Sequence, residues 1–476
     1  MTDSLDPTDW DAFRAEAHRL LDSSLDRLED ARNRPWRPVP QEVRAGYRLG
    51  DDEPGQTTAE IVDALQDRMM PYATGNTHPR FFGWVHGTGM AEGILSEMVA
   101  ATMNANCGGR DHGMVYVERE VIDWTRRQMG FPEDTSGVLV TGTSQATVIA
   151  LQAARVRALT HVRTTGQAIR LTAYTGAGVH NAARKALELL GIGNDNLRLV
   201  PTTDAGLDID ALSARIAADR AEGATPFALF GTAGSVDFGR YDDLNALADI
   251  AGDQGLWLHI DAAFGAWTRL AAAPYRQLTD GMGRADSMAC DFHKWMAVPY
   301  DCGIVLIRNE AEHRAAFAAR PAYLTGMDSG LAGGDPWFCD YGVDLSRGNR
   351  ALKVWTAIKA HGTAKLGRTV TANCERAAQM GALVTAAPQM QLAAPVVSNL
   401  CVFTADTRLS PDAQSTLNMR ISQDLQNAGV AVFSTTLAEI GGASVTCLRA
   451  AITNHRTTPE DVEIAIAAVA GAAGHA

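Results

Sequence analysis

The chain has no excess of basic charge, no long apolar run and no paired-cysteine motif. Its 42 Lys and Arg stand against 55 Asp and Glu, a formal net charge of −13 with no single-sign run. That balance argues against nucleic acid or an anionic membrane as the main partner. No stretch reaches the roughly 18 uninterrupted apolar residues of a membrane span. The N-terminal segment Met1–Trp10 also lacks the basic-then-apolar order of a secretory signal. The seven cysteines (107, 290, 302, 339, 374, 401 and 447) are odd in number, scattered and free of any Cys-x-x-Cys spacing. This suits free thiols in a reducing cytoplasm better than a disulfide framework or a zinc site. No His-Glu-x-x-His or comparable ligand spacing occurs, so no metal is expected.

What is present is an ordinary globular composition, 46% hydrophobic and 20% charged, enough for a sizeable core. Residues 7–31 have helical period with Phe13, Leu20, Leu21, Leu25 and Leu28 on one side. An amphipathic helix must cover either its own body or a partner. A second helix is expected over 57–70 and a third over 118–129. From there strand and helix alternate, the mark of a mostly parallel sheet. Strands are expected at 137–141, 168–174, 197–200, 226–231, 256–261, 285–290 and 302–307, with helices at 145–159, 180–190, 208–222 and 241–253. Residues 318–349 form a Gly-, Pro- and Asp-rich stretch too long for a plain connection, which points to a lid. Helix over 350–386 and a smaller α+β unit complete the chain.

The chemistry centres on Ala285-Asp-Ser-Met-Ala-Cys-Asp-Phe-His-Lys-Trp-Met-Ala-Val-Pro299, an apolar run that holds Lys294. Burial lowers a lysine pKa and frees the neutral amine to attack an aldehyde. A lysine that merely snorkels from a strand end would look similar. Thirty-three residues earlier, Asp261 ends the apolar strand of Trp257-Leu-His-Ile-Asp-Ala-Ala-Phe-Gly265. A third element, Val140-Thr-Gly-Thr-Ser-Gln-Ala146, joins a strand to a helix, and Gly142, Thr143 and Ser144 could cradle a phosphate at the helix N-terminus. Ser144 could equally be a plain helix cap. Gly176-Ala-Gly-Val-His-Asn181 lacks the third glycine of a dinucleotide fingerprint.

Lysine, carboxylate and phosphate loop together are the parts that hold pyridoxal phosphate. Its ring nitrogen must stay protonated to draw electrons, and Asp261 could hold that proton. His180 could stack on the ring and meet the substrate carboxylate, while Thr232 or Ala233, and Ala263, could touch the ring. Aromatic Phe81, Phe82 and Trp84, bracketed by glycines, could line the pocket. Two other readings remain at this stage: a hydrolase using Ser144, Asp261 and His293 in that chain order, and a non-enzymatic binding protein.

The segments His78-Pro-Arg-Phe-Phe, Gly142-Thr-Ser-Gln-Ala, Tyr174 with His180, Gly231-Thr, His259-Ile-Asp-Ala-Ala, His293-Lys-Trp and Leu345-Ser-Arg-Gly-Asn-Arg-Ala-Leu-Lys-Val-Trp355 run through most of the chain. In them it resembles the pyridoxal-phosphate-dependent group II amino-acid decarboxylases, the family of the aromatic-L-amino-acid, glutamate and histidine enzymes. The resemblance implies an α/β, aspartate-aminotransferase-like type I fold, with a mostly parallel seven-stranded sheet and a smaller C-terminal α+β domain. It implies an N-terminal segment (1–80) wrapping a partner subunit, a cofactor-binding domain (81–361) and a small domain (362–476), assembled as a homodimer with the active site at the interface. Lys294 would carry the Schiff base, Asp261 pair with the ring nitrogen, and His180 stack. Thr143, Ser144 and His293 would hold the phosphate. The substrate would be an aromatic or other largely apolar L-amino acid.

Three departures from the family pattern stand out. Asp291 replaces a frequent asparagine near the phosphate, Gln145 replaces a frequent glutamate, and residues 104–117 lack the usual proline-containing pattern. In the family a loop tyrosine hands a proton to the substrate carbon, and members with phenylalanine there yield an aldehyde instead of the amine. Gap-free counting from Arg347 puts Phe338 at that place, with Tyr341 and Tyr323 as alternative donors. Both the amine and the aldehyde outcome are therefore carried forward.

Overall fold

The computed structural model describes residues 4–203, 206–319 and 326–474. Its frame is a seven-stranded sheet. Across it the order is Ser136–Val140, Gly303–Ile307, Ser287–Asp291, Trp257–Asp261, Thr225–Thr232, Leu171–Gly176, Leu197–Val200. Gly303–Ile307 runs antiparallel to both neighbours and every other pairing is parallel. Every residue of Ser136–Val140, Trp257–Asp261, Ser287–Asp291 and Gly303–Ile307 is buried. Helices cover both faces of such a sheet, which is why these strands read as apolar runs rather than as alternation. All seven expected strands are present, and the expected α/β fold is the observed one.

The crossover helices are Thr143–Ala158, Asn181–Leu189, Ile209–Ala221 and Leu244–Gln254. Asp208 and Asp243 cap the starts of the last two by accepting backbone N–H groups, and Gly255 at φ 65° ends the last.

A smaller antiparallel sheet follows, in the order Gln391–Leu392, Leu400–Thr404, Ala443–Ala451, Ser434–Ile440. Helices Pro411–Asn427 and Pro459–Gly474 complete this part. The long helix Ala351–Ala386 serves both parts and breaks at Gly362, whose φ of 68° and ψ of 155° are not helical. Its Val354 and Ala357 join the core around the large sheet. Its Ala377, Met380 and Val384 join a second core with Phe403, Phe433 and Leu448.

The helix Trp10–Glu29 buries none of its residues, and Trp10, Phe13 and Leu25 are exposed. The same holds for one stripe of Glu92–Met103, where Leu95, Met98, Val99 and Met103 face outward. Among the described residues, no helix is long and apolar enough to cross a membrane.

Candidate active site

The carboxyl edge of the parallel strands gathers the chemistry, as open α/β sheets generally do. Each strand ends and then releases a polar side chain: Val140 leads to Thr143, Gly176 to His180, and Asp291 to His293 and Lys294, while Thr232 and Asp261 are themselves strand ends. They meet in a cavity of about 670 Å³. Of the residues expected from sequence, Gly142, Thr143, Ser144, His180, Thr232, Asp261, Ala263, Asp291, His293, Lys294 and Trp84 line it.

Lys294 Nζ lies 2.7 Å from Asp291 Oδ2. Burial works against its charge, but the Asp291 carboxylate and, more weakly, Asp261 outweigh it and raise its pKa above the ordinary lysine value. The sequence expectation of a lowered pKa is thus corrected, because the buried lysine has a partner. Asp291 also accepts the Thr143 N–H at 2.7 Å, so one carboxylate links the phosphate-type loop to the lysine. His293 takes the Cys302 N–H on Nδ1 at 3.0 Å, and its Nε2 is 3.7 Å from Asp291. Burial lowers its pKa and keeps the ring neutral. A neutral ring with Nδ1 accepting carries its hydrogen on Nε2.

These positions suit pyridoxal phosphate on their own chemistry. Asp261 is buried, with Oδ1 accepting the Ala263 N–H at 3.2 Å. Burial raises its pKa, against the pull of His180 and Lys294, as expected of a carboxylate that still lacks a close cation. A protonated pyridine nitrogen is such a cation. Thr143 Oγ1 is a buried hydroxyl without a partner among the described residues, set at the start of Thr143–Ala158 where an anion is favoured. His180 caps Asn181–Leu189, its Nδ1 accepting the Ala182 N–H at 3.2 Å, and leaves a flat ring at the cavity edge.

Four expected positions are corrected. Phe82 is fully buried away from the cavity, because its backbone pairs with Val432 and Ala451 and inserts the ring beside Phe433, centroids 5.6 Å apart. Phe81 is buried next to it and packs on Trp84 and His86 without lining the cavity. Phe338 lies in the main core under the Arg347 guanidinium, 5.2 Å from its ring centre. Tyr341 gives its hydroxyl to Glu310, and burial followed by that carboxylate raises its pKa. Neither loop residue reaches the cavity of its own chain.

Residues 334–349 are therefore packed rather than lid-like: Cys339 N–H donates to Gly108 O and Cys107 N–H to Arg347 O. The stretch 104–117, divergent in sequence, is what clasps them. Tyr323 lies outside the described residues. The hydrolase reading fails as well, since His293 Nδ1 is committed to Cys302 and Asp261 has no bond to it.

Sequence reasoning missed Val85, His86, Asp237, Phe264, Tyr300 and Arg449, all at the cavity. Arg449 is buried and donates to the carbonyls of Trp84, Val236 and Asp237 and to Ser434 Oγ, bracing the wall. Its signal was legible: a lone cation within the apolar strand Val445-Thr-Cys-Leu-Arg-Ala-Ala-Ile452. Tyr300 and His86 gave none, since they sit in loops that only the fold brings to the lysine.

The model of the pyridoxal-dependent decarboxylase conserved domain matches residues 40–406. An aromatic-L-amino-acid decarboxylase of Bacillus atrophaeus is 28% identical over 94% of this chain and 93% of its own. A phenylacetaldehyde synthase of Arabidopsis thaliana is 27% identical over 84% of each chain. The solved structure of Oryza sativa TDC with PLP and tryptamine superposes with a TM-score of 0.89 at 24% identity, covering 99% of both chains, a likeness of fold. With the family match running through most of its length, this chain belongs to the pyridoxal-dependent decarboxylases and is a pyridoxal-phosphate-dependent amino-acid decarboxylase.

Proposed function

We propose that the protein decarboxylates an aromatic L-amino acid to its amine, working as a homodimer in the cytoplasm. The observation that carries this reading is one cavity lined by Lys294, Asp261, His180 and Thr143 together with the aromatic residues Trp84, Phe264 and Tyr300. The named activities of the relatives support the aromatic class, and seven scattered cysteines without any Cys-x-x-Cys spacing suit a reducing compartment.

Lys294 Nζ would anchor the cofactor aldehyde, and Asp261 would keep a proton on its ring nitrogen. Thr143, Ser144 and His293 would hold the phosphate, and in the cofactor-free chain the Lys294 ammonium offsets the negative Asp291. When bound, pyridoxal phosphate supplies a ring into which the electron pair left by departing carbon dioxide is drawn. His180, at the cavity, would hold the substrate carboxylate, which favours loss of carbon dioxide over loss of the α-proton. The apolar wall receives the side chain and excludes water from the reacting carbon.

A panel of the twenty amino acids with carbon dioxide detection tests the assignment. Tryptophan, tyrosine or phenylalanine is expected to lead, and release only from acidic or small substrates would refute the aromatic reading. The aldehyde outcome rests on Phe338 standing in for a loop tyrosine. Amine, aldehyde and peroxide measured together in air separate the two.

A further inference from the structure

The loop from Trp84 to Gly87 brings to the cavity a polar group that none of these roles uses. His86 lines it together with Lys294 and His180. Its ring is half-buried among three others, with centroids 5.5 Å from Phe81, 5.6 Å from Trp84 and 6.1 Å from Tyr300. Among the described residues neither ring nitrogen of His86 has a hydrogen-bond partner. A polar ring in aromatic company is costly unless something bonds to it. Burial and then Lys294 lower its pKa, so the ring stays neutral at neutral pH and keeps one nitrogen as an acceptor.

The backbone holds this ring in place. Trp84 takes φ 52°, in the left-handed region that side chains avoid. Arg449 Nη1 donates to the Trp84 carbonyl at 3.0 Å and Thr453 Oγ1 to the His86 carbonyl at 2.7 Å. On the far side, a Cβ on Gly87 would fall 1.6 Å from the His293 carbonyl oxygen, so only glycine lets the loop lie on the lysine segment. The substrate carboxylate and the cofactor phosphate are assigned to His180 and to the Thr143 loop, which leaves the substrate side chain for His86. A plain phenyl ring finds Trp84 and Phe264 in this cavity but gives the imidazole acceptor nothing. A ring with its own donor meets both. We propose that His86 is the specificity-determining residue of the pocket, accepting a hydrogen bond from a phenol O–H or an indole N–H of the substrate. The inference rests on the aromatic reading above and narrows it to aromatic L-amino acids that carry a donor on the ring.

Two pairs of substrates differ in the donor: tyrosine against phenylalanine, and tryptophan against 3-benzothienylalanine, in which sulfur replaces the indole N–H. With the holoenzyme, kcat/KM should favour the donor-bearing member of at least one pair by about 10-fold or more, the scale of a hydrogen bond left unmade. The pair that discriminates tells which donor is read. His86→Phe keeps a flat ring among Phe81, Trp84 and Tyr300 and removes the acceptor. It should bring that ratio close to one by lowering kcat/KM for the donor-bearing substrate alone, with cofactor affinity unchanged.

Wild-type enzyme that turns over both members of each pair equally overturns the proposal and leaves the aromatic reading standing. An undiminished ratio in His86→Phe overturns it, as does a ratio that collapses in Tyr300→Phe instead. Weakened cofactor affinity, or an equal loss on all substrates in loaded His86→Phe, also overturns it by placing His86 on the phosphate or the carboxylate. Cofactor absorbance reports loading. Where His86→Phe does not load, His86→Gln and His86→Leu decide: the amide oxygen retains an acceptor and should retain the preference that His86→Leu loses, and equal ratios overturn the proposal. Carbon dioxide released only from acidic or small substrates refutes the aromatic reading and this proposal together.

Discussion

Lys294 Nζ and Asp291 Oδ2 form a 2.7 Å ion pair inside the cavity, and Asp291 simultaneously accepts the Thr143 N–H. The carboxylate therefore holds the lysine as an ammonium, with its pKa above the ordinary value although burial opposes it. Adding to an aldehyde requires the neutral amine. Asp291→Asn removes the favourable charge, leaves burial largely unopposed and lowers the lysine pKa. The pH profile for cofactor loading of the cofactor-free chain should then shift downward by about one unit or more, the usual effect of a close opposite charge. Imine absorbance after mixing with pyridoxal phosphate reads this directly. A profile that stays put or moves upward would show that Asp291 does not control the lysine.

Lys294→Ala should abolish turnover yet still bind the cofactor, because Asp261 and the Thr143 loop remain. Borohydride reduction discriminates: wild-type protein fixes the cofactor covalently, whereas the variant releases it on denaturation. Near-normal turnover in the variant would remove Lys294 from its role.

Much of this was legible in the sequence, for physical reasons. Parallel strands covered on both faces leave unbroken apolar runs, so all seven were readable. Polar residues at their carboxyl ends converge by topology, so Asp261, Lys294 and the Thr143 loop could be grouped before any coordinates. Phe82 misled because its placement depends on backbone pairing with Val432 and Ala451, far away in sequence. Phe338 and Tyr341 misled because counting positions in a loop says nothing of Glu310 or Arg347, which hold them. The pairing of Lys294 with Asp291 spans only three residues. It was missed because the expectation weighed burial alone.

Asp261→Asn should lower kcat by on the order of 10³-fold, as loss of a preorganised charge at a reacting centre does. Its effect on the cofactor-free chain has the opposite sense. Burial raises the Asp261 pKa, so the folded state disfavours the ionised form. The resulting destabilisation grows as pH rises above the unfolded aspartate value of about 3.9. Below that value both states are protonated and nothing is lost. Urea unfolding of the cofactor-free variant should thus show greater stability than wild type at neutral pH, with the two converging in acid. Equal stability at pH 7 would mean that Asp261 has a cationic partner without cofactor.

Phe82 and Trp84 are two residues apart and should behave oppositely. Phe82 is fully enclosed beside Phe433, and Phe82→Ala should cost about 3–5 kcal/mol by leaving a cavity. Trp84 is 53% exposed and lines the active-site cavity. Trp84→Ala should cost little stability but raise KM for aromatic substrates. Denaturant midpoints and KM values measured side by side check both, and the reverse ranking would return Phe82 to the pocket.

The uncovered apolar surfaces bear on assembly. Leu95, Met98, Val99 and Met103 follow the i, i+3, i+4, i+8 spacing of one helical face and are all exposed, as are Trp10, Phe13 and Leu25 on the N-terminal helix. Contiguous apolar surface of this kind marks an interaction site. Trp84 and Lys294 line the same cavity of one chain, so mixing their variants tests nothing about an interface. The informative variant is Met98→Glu with Val99→Glu, which places two charges on the stripe without touching the cavity. Sedimentation should give a dimer for wild type and a monomer for this variant, with activity lost alongside the dimer because His180 then lies open to water. A wild-type monomer at working concentration, or a fully active monomeric variant, would break the link between assembly and catalysis.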